Sequence, residues 1–234
     1  MVRTLQEQTD LGQPGWPLVK GWLAAAKNQV VVLEAEIRTR EEALVRLQVT
    51  SRSPLGAVAL ETGGVLVDGG WVRVLGADSP SMQGIVAWNG LDGPNQAVPG
   101  ALLVGHDAVG GFFALNGGKW AASMGGVFYW GQDTLQWTDL GSGYSAWLQW
   151  LFQSDLDLFY SELRWPGWRD EVRTISPDQG IAVYPFLWAR EGGPVGSRAR
   201  SPVPMRELWD SSHDMAEQLR HVPKDSPVRI EPRD

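Results

Sequence analysis

Side chains able to do acid–base, nucleophilic or metal chemistry are few in this 234-residue sequence, and they are widely spaced. There is no cysteine, and the only histidines are His106, His213 and His221. Without thiols there is no thiolate ligand, disulfide or cysteine nucleophile. A zinc site needs three or four converging ligands, and none of the histidines has such a set nearby. The strings GxSxG and HExxH, a Walker A loop and a GxGxxG opening a helix are all missing. Carboxylates remain. Asp155 and Asp157, two apart, do not share a helix face. Asp133, Asp139 and Asp178 would serve a carboxylate-dependent hydrolase only if folding brought them to a defined separation. The competing role for each is turn formation or helix capping. Gly63-Gly64, Gly110-Gly111 and Gly125-Gly126 precede apolar runs. They fit consecutive hairpins better than a phosphate cradle, which needs a strand-to-helix turn. No metal and no cofactor is expected.

Recognition is the chemistry left. Aromatic rings stand beside polar turn residues in three places: Trp88-Asn89-Gly90; Tyr129 to Asp133 with Trp137; and Trp165-Pro166-Gly167-Trp168, followed by Asp178-Gln179-Gly180 and Tyr184. The candidate binding residues are therefore Trp88, Asn89, Trp130, Asp133, Trp137, Trp165, Trp168, Asp178, Gln179 and Tyr184. Partly exposed rings of this kind anchor peptides or small ligands. The competing role is core packing, which suits Trp147 and Trp150.

These groups must be positioned by a mixed set of elements. Residues 1–15 read as a loose arm. Trp16 to Ala26 has helical spacing, with Pro17 in the first turn. A Glu-rich segment follows, and Thr39 with Glu42 reads as a capping box opening a second helix. LGAVALE, VLVDGG and WVRVLG then read as short strands of an antiparallel meander, turning at Asp68-Gly69-Gly70. ALLVGHDAVGGFFALNG and GGVFYWGQDTLQWTDL read as hairpins, and GYSAWLQWLFQSDLDLFYSEL as a helix covering the sheet. IAVYPFLW suggests an edge strand interrupted by Pro185. Residues 191–204 read as a loop or linker, 205–220 as a terminal helix, and 223–234 as a loose tail. The expectation is a single α+β domain over 16–222, with a central antiparallel or mixed sheet and flanking helices.

Composition limits the function classes. Apolar residues make up 43 %, enough for a core. The net charge is −7 with no basic stripe, which argues against nucleic acid. The N-terminus shows no apolar signal segment, and no run of 18 apolar residues exists, so no membrane span is expected. A cytoplasmic location is the expectation.

The stretches LQVTSRSPLGAVALETGGVLVDGGWVRVLG, GKWAASMGGVFYWGQDTLQWTDLGSGYSAWLQW, DLDLFYSELRWPGW, DQGIAVYPFLW and VPMRELWDSSHDMAEQL resemble the bacterial DUF2625 family, over about Trp16 to Leu219. ALLVGHDAVGGFFALN, GGVFYWGQDTLQW and LGSGYSAWLQWLF also resemble the SMI1/KNR4 (SUKH) pattern. That second resemblance implies an SMI1/KNR4-like α+β domain carrying a C-terminal extension. It places a Gly/Asp turn on His106 to Gly110 and an acidic strand tip on Gln132-Asp133. It further implies an immunity-like role against toxins, or a regulatory scaffold. The leading expectation is a non-catalytic protein-binding module whose partner is a basic toxin or a regulator, since complementary fields steer encounter. A small-molecule-binding protein or carboxylate hydrolase is the alternative. A structural homo-oligomer is the third.

Overall fold

The computed structural model describes residues 2–9, 12–121, 123–189 and 192–222; the expected tail at 223–234 lies outside the described residues. Seven strands pair antiparallel in sequence order: β1 (Val30–Leu33), β2 (Gly64–Val67), β3 (Val72–Leu75), β4 (Ala101–Asp107), β5 (Phe112–Asn116), β6 (Gly126–Gly131) and β7 (Gln136–Gly143). A separate two-stranded ladder joins β8 (Gln179–Tyr184) to β9 (Ala199–Pro204). Around them lie α1 (Leu5–Thr9), α2 (Trp16–Ala24), α3 (Ile37–Leu47), α4 (Pro54–Glu61), α5 (Ile85–Asn89), α6 (Tyr144–Gln153), α7 (Leu156–Phe159), α8 (Trp168–Arg173) and α9 (Met205–Leu219). The class is α+β, an antiparallel sheet with flanking helices. Among the described residues no helix is long and apolar enough to cross a membrane.

The predicted hairpins form where glycine permits them. Asp68, Gly69 and Gly70 all have positive φ (50°, 68° and 90°), so the β2–β3 turn needs residues that tolerate the left-handed region. On one sheet face α6 lays Trp147 against Phe113 at 5.1 Å ring to ring. A Cβ at Gly105 would come within 3.1 Å of that same indole, so glycine here admits the helix. The other face carries α5, α8, α9 and the β8–β9 ladder.

Several elements differ from the sequence expectation. LGAVALE is helix α4, not a strand. Ser53 Oγ accepts the Gly56 N–H at 3.0 Å, and Pro54 occupies the first turn. Its residues Leu55 to Ala59 are all buried, against α2, α3 and α6, so no helical stripe is left to see. The Glu-rich segment contains edge strand β1. Helix α3 starts before the expected box: Glu36 is its N-cap, and the Thr39 hydroxyl donates to Glu36 O. The long helix after Tyr144 breaks at Ser154, and Asp155 caps α7 by accepting the Asp157 N–H. Within the expected loop at 191–204, β9 pairs Pro202 with Ile181 and Pro204 with Gln179. Prolines two apart point the same way, so both missing N–H groups fall on one side of an edge strand. Within the expected arm, the buried Gln8 of α1 donates to Leu44 O and Val49 O, both at 2.9 Å, and so ties α1 to the end of α3.

Asn89 is a second polar tie. Its amide donates to Ile85 O and Leu103 O and accepts the Leu103 N–H, at 2.7–2.9 Å, with 2 % exposure. It fastens α5 to β4. Asn89→Leu leaves buried backbone groups unpaired and is expected to cost about 2–3 kcal/mol. A lower urea midpoint at unchanged m-value would show this; a midpoint equal to wild type would refute it.

Candidate functional site

Strand pairing places Val31, Leu66, Arg73, His106, Phe112, Trp130 and Trp137 opposite one another on successive strands. Their side chains therefore share one sheet face. Toward β7 this row is roofed. Trp88 of α5 lies 5.5 Å from the rings of both His106 and Phe112. Helix α9 sets Trp209 on Phe112 at 4.6 Å and His213 on Trp130 at 4.2 Å. Arg206 places its guanidinium 3.9 Å from the Trp88 ring.

Toward β1 the roof opens. Val31, Leu66 and Arg73 line a cleft of about 260 Å³ together with Val172, Arg173, Ile175 and Pro177, with Gly69, Gly70 and Gln29 completing the lining. Arg73 is only 1 % exposed. Its Nε donates to Gly70 O at 3.0 Å and its Nη1 to Gln179 O at 2.6 Å. Among the described residues no carboxylate forms an ion pair with it, and Nη2 donates to nothing. Burial lowers its pKa to about 10 against the pull of Asp107 and Asp178, so it stays charged at neutral pH. A wider depression beside α1 and α3, about 620 Å³, offers Arg46, which is exposed and already paired with Glu42.

Next to Arg73 the row is sealed. His106 has no exposed surface, and neither ring nitrogen has a hydrogen-bond partner among the described residues. Burial, reinforced by the Arg73 charge, holds its pKa well below the usual histidine range, so the ring is neutral. Asp107 lies on the opposite face. It accepts the N–H groups of Val109 (3.0 Å) and Gly111 (2.8 Å) and the Tyr129 hydroxyl (2.8 Å). Burial raises its pKa, with those three bonds opposing. Burial and the nearby Asp107 charge keep Tyr129 and Tyr160 protonated, far above ordinary phenols. Asp107 and Tyr129 brace the β4–β5 hairpin, and none of these groups lines the cleft.

An internal ion pair sets the cleft's far wall. Arg164 lies 4.8 Å from the Trp71 ring, 4.9 Å from Tyr160 and 4.2 Å from Trp168. It forms an ion pair with Asp68 of the β2–β3 turn at 2.6 Å and another with Asp157. This clamp joins the turn that ends the cleft to the segment leading into α8, which supplies Val172 and Arg173.

The candidate residues drawn from sequence distribute unevenly. Of the candidate tryptophans, Trp88, Trp130, Trp165 and Trp168 are buried and Trp137 is partly exposed. Trp88 and Asn89 are buried under α9 and against β4. Trp130 is buried and donates its indole N–H to Ser212 Oγ at 3.1 Å; Trp137 is half-buried beside it. Trp165 donates to Glu171 and, with Trp168, packs on Trp71. The reason is sheet area: a face seven strands wide needs large rings to fill the gap to short helices. Asp178 is half-buried, accepts the Gln83 N–H at 2.8 Å, and has its pKa raised by burial. Gln179 gives Arg73 its carbonyl. Tyr184 is 58 % exposed, and Asp133 is exposed at the β6–β7 turn. Asp139 accepts from Ser123 Oγ and the Gly141 N–H, which lower its pKa. It sits on β7, four strands from the Arg73 position on β3 beside Asp178. Four strand spacings amount to about 19 Å, so Asp139 and Asp178 do not converge. Among the described residues no group of three His, Cys, Asp or Glu could hold a metal ion.

Arg73, His106, Arg164 and Arg206 are the site and support residues that sequence reasoning did not single out. A lone arginine inside the apolar strand WVRVLG was the available signal, because a strand alternation that buries a charge calls for a partner.

The architecture defines an α+β protein built on a seven-stranded antiparallel meander. More particularly, the chain belongs to the family described as "Protein of unknown function DUF2625", whose profile matches residues 5–208. It is 36 % identical over 217 residues to the "Putative uncharacterized protein YbfG" of Escherichia coli (strain K12), covering 92 % of this chain and 98 % of that one. It is 33 % identical over 189 residues to an "Uncharacterized protein" of Haemophilus influenzae (strain ATCC 51907 / DSM 11121 / KW20 / Rd), covering 80 % and 83 % respectively. No solved structure matches it.

Two outcomes are expected. Because His106 is neutral when folded and titrates near 6.5 when unfolded, the unfolded state binds the extra proton below that pH. Its contribution to stability should fall by up to about 1.4 kcal/mol per pH unit as pH drops below 6.5. His106→Leu should flatten that slope in urea titrations at pH 7.0 and 5.5; an unchanged slope would remove His106 as the cause. Separately, Asp68→Asn strips Arg164 of its buried partner and should cost about 3 kcal/mol. Asp157→Asn, at a largely exposed position, should cost under about 1 kcal/mol. Equal losses in thermal denaturation would contradict this assignment of the clamp.

Proposed function

We propose that this protein is a non-catalytic binding protein that takes a small anion into the cleft over β1–β3. The observation supporting this reading is the Arg73 guanidinium. It is held by two backbone carbonyls, has no carboxylate in ion-pair contact among the described residues, and lies almost fully buried in the lining of the cleft. Asp107 and Asp178 act on this charge only from beyond ion-pair contact, and an anionic ligand in direct contact would relieve the cost of burying it. The cleft contributes a cation, a second arginine in Arg173 and aliphatic walls, but no carboxylate, histidine or hydroxyl side chain. That inventory suits binding rather than proton transfer.

A second reading keeps a protein partner. The β4–β5 hairpin around Asp107–Gly110, the β6–β7 hairpin with Asp133 at its tip and helix α6 directly after it support an SMI1/KNR4-like, immunity-like arrangement. Tyr184, exposed on β8, is the ring left to anchor a partner there. If it is a hot spot, Tyr184→Ala should weaken such a complex by about 2 kcal/mol.

The anion reading is tested by thermal unfolding against a panel of small anions. A ligand present at 100 times its Kd should add about 2.7 kcal/mol of stability. Arg73→Gln, folded by circular dichroism, should abolish that gain. A panel without any stabilising anion, or a gain that survives in Arg73→Gln, would sink the proposal.

A further inference from the structure

We infer that the anion is the carboxylate of a small aliphatic acid, with its head on Arg73 and its body over Leu66 and Val31. This inference rests on the anion reading above and narrows it to a ligand class. Four features of the cleft carry it.

The first is charge. One buried guanidinium is matched by one negative charge. A dianion would bring a second charge into the same cleft, and Arg173 is an exposed rim group that lies 3.8 Å from Asp170. The second is geometry. Nε and one Nη1 donor are committed to Gly70 and Gln179. Nη2, which donates to nothing among the described residues, is the donor left for a carboxylate oxygen.

The third is the wall. Val31, Leu66, Val172, Ile175 and Pro177 are aliphatic, and no aromatic ring lines the cleft. A nucleobase would find no stacking platform. Gly69 and Gly70 join strand to strand, so the strand-to-helix loop that cradles phosphates is missing. The fourth is size. About 260 Å³ falls near the small end of ligand pockets, which suits a small molecule. Arg73, Leu66 and Val31 are cross-strand neighbours. Head and tail therefore lie along one line of about 10 Å across two strand spacings.

The test is isothermal titration of the full chain with three probes: 4-methylpentanoate, 4-methylpentanamide and inorganic phosphate. Wild type should bind the acid at least ten-fold more tightly than the amide or phosphate. Val31→Asp changes a residue that is 47 % exposed, so the fold should persist, while the new charge repels the head group and clashes with the tail. It should weaken the acid at least ten-fold, with an unchanged far-ultraviolet circular dichroism spectrum. Phosphate binding as tightly as the acid, or acid binding indifferent to Val31→Asp, would overturn the aliphatic-acid inference and leave the anion site standing. Equal binding of acid and amide would overturn both readings, and no binding of any probe would overturn the aliphatic-acid inference.

Discussion

A guanidinium buried on the face of a β-sheet is the constraint around which the rest of this structure is arranged. Arg73 cannot leave the core without turning Val72 and Val74 out, because neighbouring residues on a strand alternate faces. It therefore needs partners from outside the sheet, and the chain supplies two backbone carbonyls. One comes from the glycine turn at the end of its own hairpin. The other comes from the start of β8, more than a hundred residues later. Oxygen dipoles can solvate the charge without neutralising it. Its neighbour His106 is kept neutral in part by that same charge, so one interaction decides both the cleft's polarity and the acid sensitivity beside it.

The long-range carbonyl requires the segment before β8 to be fixed, which gives the aromatic cage around Arg164 its role. Asp68 belongs to the turn that offers Gly70 O to Arg73, and Arg164 grips Asp68 from the segment that leads into α8. Trp71, next in sequence to that turn, packs edge-on against Tyr160, Trp165 and Trp168. The cleft is thus bounded by two arms tied to the same three-residue turn. The two buried cations differ in their partners: Arg164 has carboxylates in ion-pair contact, whereas Asp107 and Asp178 act on Arg73 from farther away.

The tryptophans divide the work differently from what their number suggests. On one face Trp147 fills the space over a glycine. On the other, Trp88, Trp130 and Trp209 bridge the sheet to α5 and α9. Rings of this size span the gap between a wide sheet and short helices, and their N–H groups are used where a hydroxyl or carboxylate is near, as at Ser212 and Glu171. The polar residues beside them were drawn in as fasteners, Asn89 most completely. The end of the row toward β1 is the part that α5 and α9 leave open, beside Val172 and Arg173 of α8.

By itself the sequence determined the class, the hairpins at Asp68–Gly70, Asp107–Gly111 and Gln132–Asp133, the terminal helix and the family. Turn chemistry and alternation are local, and they survive in any context. It did not determine that LGAVALE is a helix, because burial on all sides erases the stripe that distinguishes helix from strand. Nor did it reveal β9, whose prolines are tolerable only on an edge. The cleft was decided wholly by tertiary structure. Val31, Leu66, Arg73 and His106 become neighbours through register, and the register of four strands across 76 residues is set by pairing that no local spacing encodes. The presence of Arg73 was legible from the start. That it lacks a carboxylate in ion-pair contact depends on where every other acidic side chain ends up, and only the folded chain decides that.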